Sequence, residues 1–382
     1  MGKQKKSKGS LFERISGVNT LGDNASILKN SKFFVDEFYD TGIPAINLAL
    51  SAKINGGFSR GSTLIAGDSK TFKTLFMLEM ASSYLKALDD AIFVYYDVEF
   101  GSNSSTMESV GIDTSRVYHK PVTTVEALKI DLANLLNEIG EDDNVIIGID
   151  SLGAIASEKE IEDAEEGKNV ADMTRAKMMK SFWRVVNPKL NIKKVPLIAI
   201  GQTYQTQEMF SKDVVSGGKG MIYFPNNIWM VGKQQIKNQT TKERLGSIFK
   251  IKVVKGRLVK EDSIFPIEVT FEDGINRFSA LLDIALSLGY VRAEKKGWFT
   301  HDGVDKNYRR ADTNNINFWK PLLTNKSFLE DVEALYALGS LKQVDTVDIS
   351  DMIEEVYVDV DEDNNEIEKP KVKEYKMKKS KE

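Results

Sequence analysis

The sequence predicts an α/β fold: a mostly parallel sheet with helices on both faces and an antiparallel extension. Three observations carry this expectation. Strand-like and helix-like stretches alternate between residues 62 and 201. The strand-like stretches are apolar throughout, as in a parallel sheet covered on both faces. The first of them runs into GDSKTFKT (67–74), which nearly spells a phosphate-binding loop at a strand-to-helix junction.

The elements follow in order. MGKQKKSKGS (1–10) reads as a basic, solvated tail, and 11–40 as partly helical up to a Thr-Gly-Ile-Pro turn at 41–44. INLALSAKINGGFSRG then has apolar residues at 46, 48 and 50 before a glycine-rich bend. STLIAG (62–67) reads as a strand, KTLFMLEMASSYLKAL (73–88) as a helix and AIFVYYD (91–97) as a strand. TTVEALKIDLANLLNEIG (123–140) has helical periodicity and stops at a glycine. VIIGID (145–150) is a strand, 170–187 a helix and VPLIAIG (195–201) a strand. After 225, NIWMVGKQQI, GSIFKIKVVKG and IFPIEVTF follow one another with short polar links, which predicts antiparallel strands. Residues 279–345 form a smaller mixed segment with helix-like ends. The expected division is an N-terminal packing segment (1–45), a core (46–278), a small C-terminal domain (279–345) and a charged, disordered tail (346–382).

Composition narrows the chemistry. The 382 residues include no cysteine and only two histidines, His119 and His301. Thiol catalysis and cysteine-ligated zinc are excluded, and a histidine cluster or a Ser-His-Asp triad is disfavoured. Phosphate chemistry needs neither residue type. No apolar run is long enough to span a bilayer and no secretion signal is evident, so the expected location is the cytoplasm. Residues 348–368 carry ten acids and no base, and 369–382 seven lysines and two glutamates, which leaves 1–347 near neutral within the chain's net −4. DNA binding would therefore rest on a local basic surface. The acidic tail could compete with DNA for that surface, bind accessory proteins, or simply solubilise.

In the phosphate loop, Gly67, Lys73 and Thr74 fit the pattern, while Phe72 stands where a second glycine belongs. The expectation is that Phe72 lies at the helix start with negative φ and points away from phosphate. Backbone N–H groups of 67–72 (Gly67, Asp68, Ser69, Lys70, Thr71, Phe72) would converge on phosphate at a helix N-terminus. Lys73 would reach the β and γ phosphates, and Thr74 would hold Mg²⁺. Asp150 ends a neighbouring strand, where the metal is met. YYDVEF (95–100) places Asp97 and Glu99 at another strand end, where a carboxylate can orient the attacking water.

GDSKTFKT, YYDVEF, VIIGIDSLGAI and LIAIGQTYQTQEMFSKDVVSGGKG, in that order, resemble the RecA-type recombinases, and the phage UvsX-type members most. SKFF (31–34), IPAINLALS (43–51), DMTRAK (172–177) and SALLDIALSLG (279–289) add to the likeness, which spans about 31–340. The resemblance implies a RecA-type P-loop ATPase core with a short N-terminal polymerisation segment and a small C-terminal domain. It implies ATP and Mg²⁺ as cofactors, with Lys73, Thr74 and Asp150 at phosphate and metal, Glu99 activating water and Gln202 as γ-phosphate sensor. UvsX-type members share the Phe at 72. Lys255 and Arg257 in VVKGR (253–257) would act on a neighbouring subunit's ATP. Thr106 falls where an aromatic residue usually stacks on adenine. Two loops would face DNA: 157–170 followed by Arg175, and 203–222 with Phe210, Lys212, Gly217, Gly218 and Lys219. Leu11, Phe12, Ile15, Phe33 and Phe34 would pack on the next subunit. The implied activity is DNA-dependent ATP hydrolysis by a helical filament on single-stranded DNA, which pairs homologous duplex and exchanges strands in phage recombination, repair and replication. A recombination mediator and a single-strand DNA-binding protein are the implied partners, and hydrolysis to AMP as well as ADP is possible. A hexameric RecA-fold helicase would share the apparatus, but such motors carry a sizeable N-terminal domain, and only about 45 residues precede the core. A non-enzymatic nucleotide-binding regulator would leave Glu99 idle.

Overall fold

The computed structural model describes residues 10–339 except 19, 22–23, 27, 34–36, 169–172, 207–212, 239 and 296. The charged tail and Phe34 therefore lie outside the described residues.

The N-terminal segment holds one short helix, α1 (Leu11–Ser16), closed by a Ser10–Glu13 capping box. Its Leu11, Phe12 and Ile15 are each more than 60% exposed, so this chain's own core does not cover them. Helix α2 (Pro44–Ser51) was not legible from the sequence: every one of its residues is buried. A helix buried all round loses its polar stripe, so its apolar residues at 46, 48 and 50 show no helical period.

The core alternates β1 (Gly61–Gly67), α3 (Lys73–Ala87), β2 (Ile92–Asp97), α4 (Ser104–Ser109), β3 (Val117–Pro121), α5 (Val125–Glu138), β4 (Val145–Asp150), α6 (Glu158–Glu165), α7 (Thr174–Ile192) and β5 (Pro196–Gln205). Strand β6 (Asp213–Val215) folds back on β5, and the short helix α8 (Gly220–Tyr223) leads into β7 (Asn227–Lys237), β8 (Arg244–Lys255), β9 (Ile264–Thr270) and β10 (Gly274–Ile275). The sheet order is β10-β9-β8-β7-β1-β5-β4-β2-β3. Strands β3, β2, β4, β5, β1 and β7 run parallel, and β7 through β10 are antiparallel to one another, as expected.

Strand alternation sorts the core onto two faces. Ile65, Phe93, Tyr95, Ile146, Ile198 and Ile200 pack towards α2 and α3. Leu64, Val94, Tyr96, Ile147, Ile149, Leu197 and Ala199 pack towards α5 and α7. Helix α5 presents Leu128, Leu132 and Leu136 at four-residue spacing behind a Thr124 cap. Helix α7 runs through Pro188, past the 187 expected from sequence, and buries Phe182, Trp183, Val186 and Leu190.

After β10 come α9 (Leu281–Ser287), a three-stranded antiparallel sheet of β11 (Arg292–Lys295), β12 (Trp298–Thr300) and β13 (Tyr308–Arg309), then α10 (Ile316–Leu323) and α11 (Lys326–Tyr336). Their Leu281, Ile284, Phe318, Trp319, Phe328 and Val332 join the same hydrophobic core as α2 and α3. Phe318 is ringed by His301, Tyr308 and Trp319, with ring centroids 4.9, 5.0 and 4.9 Å away. Buried His301 directs Nε2 to the Phe318 carbonyl at 2.8 Å and accepts the Gly303 N–H at Nδ1. Because the core is shared, Phe318→Ala should cost about 3–5 kcal/mol and lower the melting temperature of the whole unit in one calorimetric transition. A separate early transition would show that 279–339 unfolds by itself.

Candidate active site

The site is built where β1, β2, β4 and β5 end. The loop after β1 turns tightly at Gly67, where a Cβ would come within 2.6 Å of the Val231 carbonyl oxygen. Phe72 departs from expectation. It caps α3 in the left-handed region, at φ 64 and ψ 18, where glycine is favoured. Its ring stacks on Phe249 of β8, centroids 4.4 Å apart. That contact offsets a backbone cost of about 1–2 kcal/mol, so the missing glycine is replaced by packing.

Lys73 points back into its own loop. Its Nζ donates to the carbonyls of Gly67 (3.0 Å) and Asp68 (2.6 Å) and to Thr71 Oγ1 (3.3 Å). Burial lowers its pKa, while Glu99, Asp150 and Asp68 oppose the fall. The Thr74 hydroxyl donates to Asp150 Oδ2 at 2.7 Å. Burial pushes the Asp150 carboxyl up to about 6; the Thr74 hydrogen bond acts the other way, and Glu99 and Asp97 add to the rise.

The Asp150 carbonyl accepts the N–H groups of Val98 and Glu99 at 2.7 and 3.1 Å, which ties the β2 exit to β4. Asp97 accepts the Phe100 N–H at 2.7 Å and faces His119 Nε2 at 3.2 Å. Glu99 stands beyond them, its Oε1 accepting from Ser151 Oγ and, at 3.4 Å, from Gln202 Nε2. Gln202 lies against Gly153, where a Cβ would meet its Cγ at 2.6 Å. Sequence reasoning did not single out Ser151 or Gly153; a hydroxyl directly after a strand-end Asp was the available signal. A cleft of about 610 Å³ is lined by the 67–74 loop, Glu99, Thr106, Asp150 and Gln202. Thr106 offers no ring there, and its N–H and hydroxyl both donate to the Asn103 cap.

The residues fit a nucleoside triphosphate and Mg²⁺. Thr74 and Asp150 supply hard oxygen ligands already within hydrogen-bond distance of each other. Among the described residues no cluster of three or more His, Cys, Asp or Glu could hold a metal, so Thr74 and Asp150 are the residues that would hold Mg²⁺ beside the phosphates.

The segments expected to face DNA divide. Much of 157–170 is helix α6 rather than loop, because Ser157 caps it through the Glu160 N–H and acids fill its first turn. Arg175 is committed to the fold: its guanidinium donates to the carbonyls of Leu152, Gly153 and Ile155 at 2.7–3.0 Å. Gly217 and Gly218 follow β6 with φ of 103 and 80, conformations that need glycine, and exposed Lys219 comes next. Phe210 and Lys212 lie outside the described residues.

Lys255 and Arg257 sit at the opposite end of the sheet from the cleft. Lys255 pairs with Ile228, near the start of β7, which lies beside Leu64 in the middle of β1. Its Nζ donates to the Tyr223 carbonyl at 2.7 Å, and burial with Arg257 nearby lowers its pKa. Arg257 reaches Asn191 at 3.4 Å, and Asn191 in turn borders Gly61. Neither cation lines the phosphate cleft of its own chain.

The model of the RecA N-terminal domain matches residues 16–276. The chain belongs to the RecA family. Residues 278–332 match the C-terminal domain of the bacteriophage T4 recombination and repair protein. That whole T4 protein is 42% identical over 363 residues, covering 92% of this chain and 90% of its own length. The RecA proteins of Mycoplasmopsis pulmonis and Corynebacterium aurimucosum are 25% and 28% identical, covering 74% and 69% of this chain and 81% and 67% of their own lengths. The RecA fold therefore carries this cleft, and among the described residues no helix is long and apolar enough to cross a membrane.

Two outcomes follow from the loop and its carboxylate. An acid whose folded pKa is raised binds its proton more tightly when folded, so its stabilising effect is present at low pH and lost as pH rises towards 6. Without metal, Asp150→Asn should therefore stabilise the protein at pH 7 by on the order of 2 kcal/mol, and the gain should vanish below about pH 4 in a series of thermal melts. Phe72→Ala and Phe72→Gly both lose the ring, but only Ala keeps the left-handed strain, so Phe72→Ala should melt below Phe72→Gly and below the wild type; a Phe72→Ala protein as stable as the wild type would contradict the stacking account.

Proposed function

We propose that this RecA-family chain is a DNA-dependent ATPase that polymerises on single-stranded DNA as a helical filament and catalyses homologous pairing and strand exchange. The observation that carries this reading is the convergence of Lys73, Thr74, Asp150, Glu99 and Gln202 at one end of the parallel sheet, with β5 running from Gln202 straight into the β5–β6 hairpin. Nucleotide and DNA would thus bear on the same strand.

Lys73 and the backbone N–H groups of the 67–74 loop bind and orient the β and γ phosphates, with Thr74 and Asp150 holding Mg²⁺. The metal supplies neutralisation of charge on the phosphate oxygens. Glu99 accepts the proton of the attacking water, and Gln202 fixes the carboxylate while sensing the γ-phosphate. Lys255 and Arg257 serve the ATP of an adjoining subunit, which their distance from their own cleft supports. Gly217, Gly218 and Lys219 offer backbone N–H groups and charge to the DNA backbone, with Phe210 and Lys212 in the same segment; Arg175 supports this surface from within. Homology is read by base pairing, so the protein needs only backbone contacts. The exposed Leu11, Phe12 and Ile15 pack on the next subunit.

The likeness to the T4 recombination and repair protein supports a role in phage recombination and repair; we extend this reading to recombination-dependent replication and to the cytoplasm of the infected host. A recombination mediator and a single-strand DNA-binding protein are the partners such a filament needs. Nothing in the comparisons favours the hexameric-helicase alternative.

Mg²⁺-dependent ATP hydrolysis should rise strongly with single-stranded DNA and fall at least about 100-fold in Glu99→Gln, with ATP affinity little changed. Hydrolysis indifferent to DNA would overturn the reading.

A further inference from the structure

Residues 202 and 203 are consecutive on β5, so their side chains leave the strand on opposite faces. Gln202 reaches Glu99. Thr203 reaches the other way: its Oγ1 donates to Asp68 Oδ1 at 3.1 Å, across 135 positions of chain. Asp68 belongs to the phosphate loop, and its carbonyl also accepts from Lys73 Nζ and Thr71 Oγ1. Thr203 also begins the hairpin, opposite Val215, with Gly217 two residues further on. The end of β5 is therefore held on one side by the water-activating carboxylate and on the other by the phosphate loop.

We propose that the Thr203–Asp68 hydrogen bond is a second link between the nucleotide cleft and the DNA-facing hairpin, with Thr203 acting as a positioning residue. Two chemical consequences follow. The bond binds the hairpin to the loop that moves with phosphate, so removing it weakens the coupling between ATP and DNA. It also occupies an anionic oxygen beside a polyanion. Without the hydroxyl, the Asp68 carboxylate is free to turn towards the phosphates and oppose them.

This inference rests on the proposed DNA-binding role of the hairpin, and its test has one arm that does not. The first arm measures the affinity of full-length protein for a fluorescent ATP analogue with Mg²⁺ and no DNA. Thr203→Val should weaken it about threefold to tenfold, Thr203→Ser should restore it, and in an Asp68→Ala background Thr203→Val should have no effect. The second arm measures affinity for single-stranded oligonucleotide with and without a non-hydrolysable ATP analogue. The ratio of the two affinities should shrink in Thr203→Val and recover in Thr203→Ser. Unchanged nucleotide affinity in Thr203→Val, or an equal loss in the Asp68→Ala background, overturns the link whatever the DNA result. Wild-type DNA affinity that ignores nucleotide overturns the functional reading instead, while the first arm still decides the bond.

Discussion

One ammonium organises the ATP site. Lys73 lies in a place that burial makes unfavourable for charge. It donates to two carbonyls of its own loop and a hydroxyl, with carboxylates at 99 and 150 as electrostatic support. Those contacts bend the loop so that its N–H groups face the phosphate position. The bend in turn forces Lys70 and Phe72 into left-handed backbone, and the Phe72–Phe249 stack extends the loop's support to the antiparallel half of the sheet.

The sheet then assigns labour by its two ends. At the C-terminal ends of the parallel strands stand the groups proposed to bind and cut, as is usual for open α/β sheets. At the other end stand Lys255 and Arg257, held by the Tyr223 carbonyl and Asn191. Neither cation lines its own cleft, which is why they are proposed to serve a neighbour's. On the proposed reading an ATP site divided this way would be complete only in a polymer, and the exposed apolar face of α1 supplies a surface that a polymer would bury.

Much of this was legible in the sequence because buried parallel strands are apolar runs that end in functional residues. STLIAG, VIIGID and their neighbours gave the sheet, and Gly67, Lys73, Thr74, Asp150 and Glu99 sit at the strand ends where they were placed. What escaped had physical reasons. Helix α2 is buried on every side, so it carries no period. Edge strand β3 is short and mostly polar, VYHKP, because an exposed edge needs few apolar residues. Helix α6 looked like a loop because its acids stabilise a first turn rather than a core. The sign of φ at Phe72 depends on Phe249, 177 positions away in the chain, and no local pattern encodes that partner. Arg175 reads as a cation for DNA until its three carbonyl partners are seen.

The central claim is that catalysis is shared across subunits, and mixing two inactive proteins tests it most directly. Glu99→Gln lacks the water-activating group but keeps the cations; the Lys255→Ala/Arg257→Ala double variant keeps the cleft but lacks the cations. In head-to-tail polymers of an equimolar mixture, some junctions pair an intact cleft with intact cations. Single-stranded-DNA-dependent ATP hydrolysis should then return towards about a quarter of the wild-type rate, the share of such junctions in random copolymers. A mixture as inactive as its two components would contradict the account.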